Sequence, residues 1–292
     1  MARDVQGEWR DRGAARWLAF ASMPSQTEKA ARFLALHHGP AVLLLPNPWD
    51  AGSARLLGSL GFDALATTSS GFAATVGRAD GQVTREEAIA HARVIVDATD
   101  LPVSADLENG FADAPDAIVE TIVAALDAGL AGCSIEDATG REKDPIYPLD
   151  LATERIAAAA ERAHAGPVHL VLTARAEQYL HGRPDLDETI IRLQAYARAG
   201  ADVLYAPGLV DIADIALVVE SVDRPLNVLA LAGSPPVAAL ATVGVARVSV
   251  GGSFAFAALG AVVEAAHEFK SSGTYGFTRL ARLGRQAAPF AH

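Results

Sequence analysis

From residue 40 onward, short apolar runs alternate with longer stretches in which apolar positions recur at helical spacing. The runs cover 41–46, 63–68, 103–107, 131–135, 168–174, 203–206, 226–231 and 247–250. They read as strands buried on both faces, as in a parallel sheet covered by helices. Helices are predicted between them, over 53–61, 84–99, 114–128, 151–163, 187–199, 211–221, 235–243 and 253–270. Thr84 with Glu87 three residues on has the form of a capping box. Gly61, Gly129, Gly200 and Gly244 each stand just before a strand, where a helix C-cap belongs. Eight strand–helix units in about 230 residues predict an α/β fold, a closed (β/α)8 TIM-type barrel rather than an open doubly wound sheet. No linker or break in composition follows residue 25, so 25–275 reads as one catalytic domain with a tail over 276–292.

The first 24 residues differ from the rest. Their charges are mixed in sign, and Asp4, Glu8 and Asp11 spoil the basic start that a secretory signal needs. The segment reads as a disordered or non-native leader, with Met23 as a candidate true start ahead of a helix-like opening at Ser25. Composition narrows the function classes. A formal net charge of −11 argues against nucleic-acid partners and anionic membranes. No run reaches the ~18 apolar residues of a membrane span. The single cysteine, Cys133, permits no internal disulfide, which suits a cytoplasmic protein, and its place inside a strand predicts a buried, inert thiol.

The chemistry gathers where the apolar runs end. Asp106 and Glu108 close the third run, Glu136 closes the fourth and Arg175 the fifth. In a barrel, the C-terminal strand ends converge on one face, the face that carries active sites. Residues two apart on a strand point to the same side, so Asp106 and Glu108 share a direction. Three carboxylates there suit a hard cation such as Mg²⁺, which takes oxygen ligands and keeps several waters. Arg175 suits a carboxylate or oxyanion, or pairs with Glu136 as a structural ion pair, and the two roles are compatible. Thr67 to Gly71 ends the second run with hydroxyls and a glycine, whose N–H groups are candidates to cradle an anion or simply make a turn. Asp80 sits in a glycine-flanked loop toward the same face. Asn227 on the seventh strand is a candidate substrate contact. His169 reads as a core or barrel-wall histidine, His91 and His164 as surface residues on helices.

Read together and in order, 45–51 (Leu-Pro-Asn-Pro-Trp-Asp-Ala), 68–71, 77–80, 106–110 (Asp-Leu-Glu-Asn-Gly), 135–137 and 173–175 resemble the isocitrate lyase/phosphoenolpyruvate mutase superfamily over 28–275. The resemblance implies a barrel whose eighth helix, here the apolar 253–270, swaps between partners in homodimers or homotetramers. It implies Mg²⁺ at Asp106 with help from Glu108 and Glu136. A 2-oxo acid or enolpyruvate unit would be held by the backbone of Ser70 and Gly71 and by Arg175, with Asp80 near the substrate.

The pattern also departs from that superfamily. Members that cleave isocitrate or methylisocitrate carry a catalytic cysteine in the loop after the fourth strand. Here that loop reads Arg141-Glu142-Lys143-Asp144-Pro145, without one. The Lys-x-Asn-Ser stretch of the phosphoenolpyruvate mutases is missing too. Arg141, Lys143 and Asp144 are either solvated charges or gating-loop groups with another task. The expectation is a Mg²⁺-dependent lyase that cleaves a C–C bond in a small 2-oxo or 2-hydroxy dicarboxylate through an enolpyruvate-like intermediate. The alternatives are a phosphonopyruvate-type hydrolase or mutase, or a non-catalytic barrel that binds Mg²⁺ and a 2-oxo acid.

Overall fold

The apolar runs pair as predicted, each strand parallel to its neighbours, in a computed structural model that describes residues 23–290. The leader reading of 1–24 therefore lies, apart from its last two residues, outside the described residues. The strands are β1 (Leu43–Leu45), β2 (Leu65–Ala66), β3 (Val103–Asp106), β4 (Gly132–Glu136), β5 (Val171–Arg175), β6 (Val203–Tyr205), β7 (Leu226–Leu229) and β8 (Arg247–Ser249). Their order around the sheet is β1-β8-β7-β6-β5-β4-β3-β2. The helices are α1 (Gln26–Leu36), α2 (Ala51–Ser59), α3 (Ser69–Thr75), α4 (Arg85–Asp97), α5 (Pro115–Asp127) and α6 (Leu149–His164). They continue with α7 (Leu186–Arg198), α8 (Ile212–Ser221), α9 (Val237–Thr242), α10 (Ser253–Ser272) and α11 (Thr278–Ala287).

One seam, between β1 and β2, has no strand ladder. Pro46 follows β1 and cannot donate an N–H to a neighbour. The seam is closed instead by Ala66 N–H to the Pro46 carbonyl at 3.1 Å and by the Asn47 side chain. Asn47 donates to the Thr67 carbonyl at 2.9 Å and accepts from the Val250 and Gly251 N–H groups at 3.0 and 2.9 Å. A single buried amide thus ties β1, β2 and β8 together at the mouth.

Two apolar clusters fill the rest. The larger packs the helices α2 and α4 to α8 onto the outside of the strands; the smaller, with Phe33, Leu43, Ala131, Val171 and Val203, fills the N-terminal end of the barrel. That end is covered by α1, which is held by Gln26 on the Leu126 and Leu130 carbonyls and by Lys29 on that of Thr99. Local chemistry sets the helix ends. Capping boxes open α1 (Ser25/Glu28), α2 (Asp50/Ser53) and α4 (Thr84/Glu87). Gly61, Gly129, Gly200 and Gly244 all take positive φ, the left-handed turn that ends a helix at no steric cost.

Two features differ from the sequence reading. Residues 69–75 form the helix α3, although Thr-Ser-Ser-Gly reads as a turn. The tail carries α11, an exposed helix with Leu280 and Leu283 on its surface. The long α10 buries only Ala255 and leaves Phe254, Phe256, Leu259, Val262, Val263 and Phe269 exposed. Leu44 on β1 is 43% exposed, and among the described residues no helix covers the outside of the sheet there.

Candidate active site

Arg175, the last residue of β5, organises the mouth. Its Nη1 lies 2.9 Å from Asp106, Nη2 3.2 Å from Glu136, and Nε 2.7 Å from Glu177. The guanidinium lies 5.2 Å from the ring centroid of Tyr205, the residue beside it in register on β6. Burial would favour loss of its proton, but the charges of Glu177, Glu136 and Asp106 outweigh that and hold it firmly protonated. A planar fork with three separate acid partners is a geometry lysine could not reproduce.

The acids outnumber this cation. Burial pushes the Glu136 carboxyl well above its ordinary value; Arg175 opposes the shift, and Glu177, Asp106 and Glu108 add to it. Burial, then the charges of Asp106 and Asp80, lift Glu108 to about 7. Glu177 and Asp80 are raised as well, each chiefly by desolvation. Glu108 also adopts φ +48, a left-handed conformation uncommon for a residue with a side chain. Such backbone strain concentrates at functional sites, and here it turns the chain sharply at the end of β3. Among the described residues, these acids do not bring three carboxylate oxygens within 4.8 Å of one another. Arg175 stands between Asp106 and Glu136. The donor set still fits a Mg²⁺ ion, which needs one or two direct carboxylates and takes waters for the rest. Surplus negative charge on hard oxygens is what such an ion neutralises.

Beside the acids lies a cleft of about 250 Å³, its open side included, lined by Thr67, Thr68, Ser69, Phe72, Asp106 and Glu108, with Val83, Ala88 and His91. A larger hollow of about 800 Å³, formed by 36–44 and 60–63, is mostly apolar and brings together no comparable set of charged groups. The first turn of α3 forms one wall of the mouth. Ser69 N–H donates to Asp106 Oδ2 at 3.2 Å, and Thr67 Oγ1 accepts from Asp106 N–H at 3.0 Å. A Cβ on Gly71 would lie 2.5 Å from the Thr68 methyl and 3.2 Å from Ala255, so the close approach of α3 and α10 requires glycine. The loop after β4 is a short hairpin, bridged at Ala138 and Ile146. Arg141 is tied to Asp113 at 2.9 Å, and Lys143 and Asp144 are exposed. Beneath it, buried Asp137 accepts from Tyr196 at 2.6 Å, Arg192 at 3.2 Å and Glu177 N–H at 2.8 Å. This network fixes the chain on which Glu136 and Glu177 stand.

The structure brings Asp106, Glu108, Glu136, Arg175, Asp80, Ser70 and Gly71 to this one face. The Gly71 N–H is already donated to the Thr68 hydroxyl at 3.2 Å, so any anion at that turn would share or displace a cap. Asn227 is elsewhere. It is buried below the mouth, accepting from Arg247 at 2.8 Å and donating to Ser249 at 3.0 Å. Cys133 is buried, and desolvation pushes its thiol up to about 12, as an inert core cysteine requires. The histidine readings need correction. His91 is half-buried at the cleft wall, stacked on Phe72 at 3.9 Å and bonded to the Trp49 carbonyl. His169 lies before β5 rather than in it and is 41% exposed, and His164 stacks on it at 4.0 Å. Glu177 and Tyr205 were missed. The spacing of Arg175 and Glu177, two apart and therefore on one side, was the available signal for the first.

Residues 33–270 match the family model described as phosphoenolpyruvate phosphomutase. A crystal structure of a "putative lyase/mutase" from Burkholderia cenocepacia J2315 is 53% identical, with a TM-score of 0.87 over 90% of this chain and 95% of that one. The structure of 2,3-dimethylmalate lyase is 25% identical, with a TM-score of 0.80 over 92% of this chain and 96% of that one. The 2-methylisocitrate lyase of Halalkalibacterium halodurans is 31% identical over 209 residues, 69% of this chain and 67% of the relative.

Proposed function

The chain belongs to the phosphoenolpyruvate phosphomutase family, within the isocitrate lyase/phosphoenolpyruvate mutase superfamily, and from that premise we propose a Mg²⁺-dependent lyase that breaks a C–C bond next to a pyruvate-like unit. The observation that carries this is the mouth itself, where three acids share one arginine and a fourth, Glu108, is lifted to about 7 beside them. The substrate is a small 2-oxo or 2-hydroxy dicarboxylate, in keeping with the 2,3-dimethylmalate and methylisocitrate lyases it resembles.

Asp106, with Glu108 and Glu136 directly or through water, would hold the metal. Bound there, Mg²⁺ would supply electrostatic stabilisation to the oxygen that gains charge as the bond breaks. The chain's own part is positioning and proton handling. Arg175, fixed by Glu177 and Glu136, places a cation beside that oxygen without reorganising, which is where electrostatic catalysis gains most. Asp80, beside Ser69 and raised by desolvation, is a carboxyl on the mouth loop suited to exchanging a proton with the substrate. The wall of α3, with its first-turn amides, orients the carboxylate end. The exposed α10 and the uncovered outer face at Leu44 fit a homodimer or homotetramer in which α10 packs on a partner.

The test is pyruvate release followed by NMR, with oxaloacetate, alkylated malates and phosphonopyruvate, each in Mg²⁺ and in EDTA. Metal-dependent release from a C–C substrate is expected; release from phosphonopyruvate alone would replace the lyase by the phosphonate reading. One observation favours the non-catalytic alternative: the 138–147 hairpin offers no cysteine, and Arg141 is tied to Asp113 rather than to the mouth. Oxalate binding that needs Mg²⁺, with no turnover across the panel, would select it.

A further inference from the structure

At the opposite end of the strands, a second set of ligand-type side chains converges. His164 ends α6, His169 lies two residues before β5, and Asp202 lies just before β6. His164 Nε2 is 3.0 Å from Asp202 Oδ2, and His169 Nε2 is 2.9 Å from Asp202 Oδ1. One ligand atom from each of the three residues lies within 4.8 Å of the other two. Among the described residues, this is the only trio of His, Cys, Asp or Glu that meets so closely. Six residue steps of extended chain lead from His169 to Arg175, roughly 20 Å at strand rise, so the cluster is separate from the mouth.

We propose that His164, His169 and Asp202 form a second cation site, selective for a borderline transition metal of the Zn²⁺ type rather than for Mg²⁺. Two imidazoles and one carboxylate are the donors such ions prefer, whereas Mg²⁺ seeks oxygen. Spacing agrees. Two ligands about 2.1 Å from a tetrahedral ion stand roughly 3.4 Å apart, close to the Nε2–oxygen separations already present. The rings stack at 4.0 Å with planes 6° apart, so their Nε2 lone pairs lie in parallel planes, and binding one ion requires the rings to leave the stack, each turning by roughly 50°, half the tetrahedral angle. The backbone is already set. Leu172 N–H donates to Asp202 Oδ2 at 2.8 Å, Asp202 N–H to the Leu172 carbonyl at 2.9 Å, and Leu170 N–H to the Ala163 carbonyl at 3.1 Å. A carboxylate oriented by such an outer bond is the support a metal ligand needs. The side chains are 27%, 41% and 13% exposed, so an ion and one or two waters can enter from solvent. The site would clamp α6 to the β5–β6 edge at the stability face of the barrel.

The experiment uses the full chain, stripped with EDTA and returned to saturating Mg²⁺ and oxalate so that the mouth is filled. Zn²⁺ is then offered in competition with a chromophoric chelator, and Co²⁺ spectra report coordination. One Zn²⁺ per chain is expected. Affinity should fall more than about tenfold in His164→Gln and in His169→Gln, with each fold checked by circular dichroism. Asp106→Asn, which alters only the mouth, should leave Zn²⁺ binding intact. No Zn²⁺ binding by the wild type, equal affinity in the histidine variants, or loss of binding in Asp106→Asn would each overturn the proposal and leave the trio as an ion pair.

Discussion

Replacing Glu136 by Gln should stabilise the metal-free protein while removing its response to Mg²⁺. Glu136 lies 3.2 Å from Arg175, an attraction of about 5 kcal/mol at an effective dielectric of 20. Against it stand Glu177, Asp106 and Glu108, the charges that raise its carboxyl. Acids that share one guanidinium lie on the order of 5 Å apart, so each ionised pair repels by about 3 kcal/mol at the same dielectric. The two from Glu177 and Asp106, which share the guanidinium, already exceed the one attraction before the push of Glu108 and the desolvation of a buried carboxylate are counted. The sign follows. A carboxyl whose folded pKa is raised destabilises the fold at any pH above its unfolded value near 4.3, by linkage. Glutamine keeps an oxygen for Arg175 and removes the charge.

A net gain of about 1–2 kcal/mol is expected at neutral pH, within the range that relieving a strained functional site gives. For a chain of this size, that is about 2 to 8 °C in melting temperature. Calorimetry in EDTA and across a Mg²⁺ titration measures both halves. The wild type should melt lower in EDTA and rise with Mg²⁺; Glu136→Gln should melt higher in EDTA and stay flat. A variant that melts below the wild type in EDTA would refute the reasoning, because Glu136 would then be a net stabilising partner of Arg175 rather than surplus charge kept for a cation.

Arg175→Gln should do the reverse, leaving Asp106, Glu136 and Glu177 without a cation and costing about 3–5 kcal/mol in EDTA. Urea unfolding reads the loss, and Mg²⁺ should recover part of it. His37 is held down to about 3, first by burial and then by Arg247, so the folded protein refuses a proton that the unfolded chain accepts below its ordinary value near 6.5. Stability should be full above that value and fall by about 2 kcal/mol between pH 6.5 and pH 5, and His37→Asn should lack that slope; parallel slopes in the two proteins would count against it. Gly132→Ala would place a Cβ 2.8 Å from both the Phe33 ring and the Val171 carbonyl. The ring can move but the strand cannot, so about 1–3 kcal/mol should be lost, read as a lower melting temperature.

The strands were legible because each is apolar along its whole length, and the mouth acids because they end those runs. What the text could not carry was context and depth. Ser69, Ser70 and Gly71 have the chemistry of a turn, and they form a helix because Ser69 N–H finds Asp106 and Gly71 fits between Thr68 and Ala255. His91 occupies a helix position that reads as surface until Phe72 and the Trp49 carbonyl close over it. Asn227 shows the deeper limit. In register, Arg175 pairs with Tyr205, Tyr205 with Asn227, and Asn227 with Arg247. A row of register partners would lie at one height in a flat sheet. In a barrel the strands tilt, so the row descends as it goes round. It begins at the mouth, where Arg175 meets Asp106, and ends at the covered floor, where Arg247 contacts His37 at 3.0 Å just beyond α1. Periodicity tells which side of a strand a residue faces. The height of that residue follows from its place along its own strand: Arg175 ends β5 and reaches the mouth, whereas Asn227 is the second residue of β7 and Arg247 the first of β8, so both lie toward the floor.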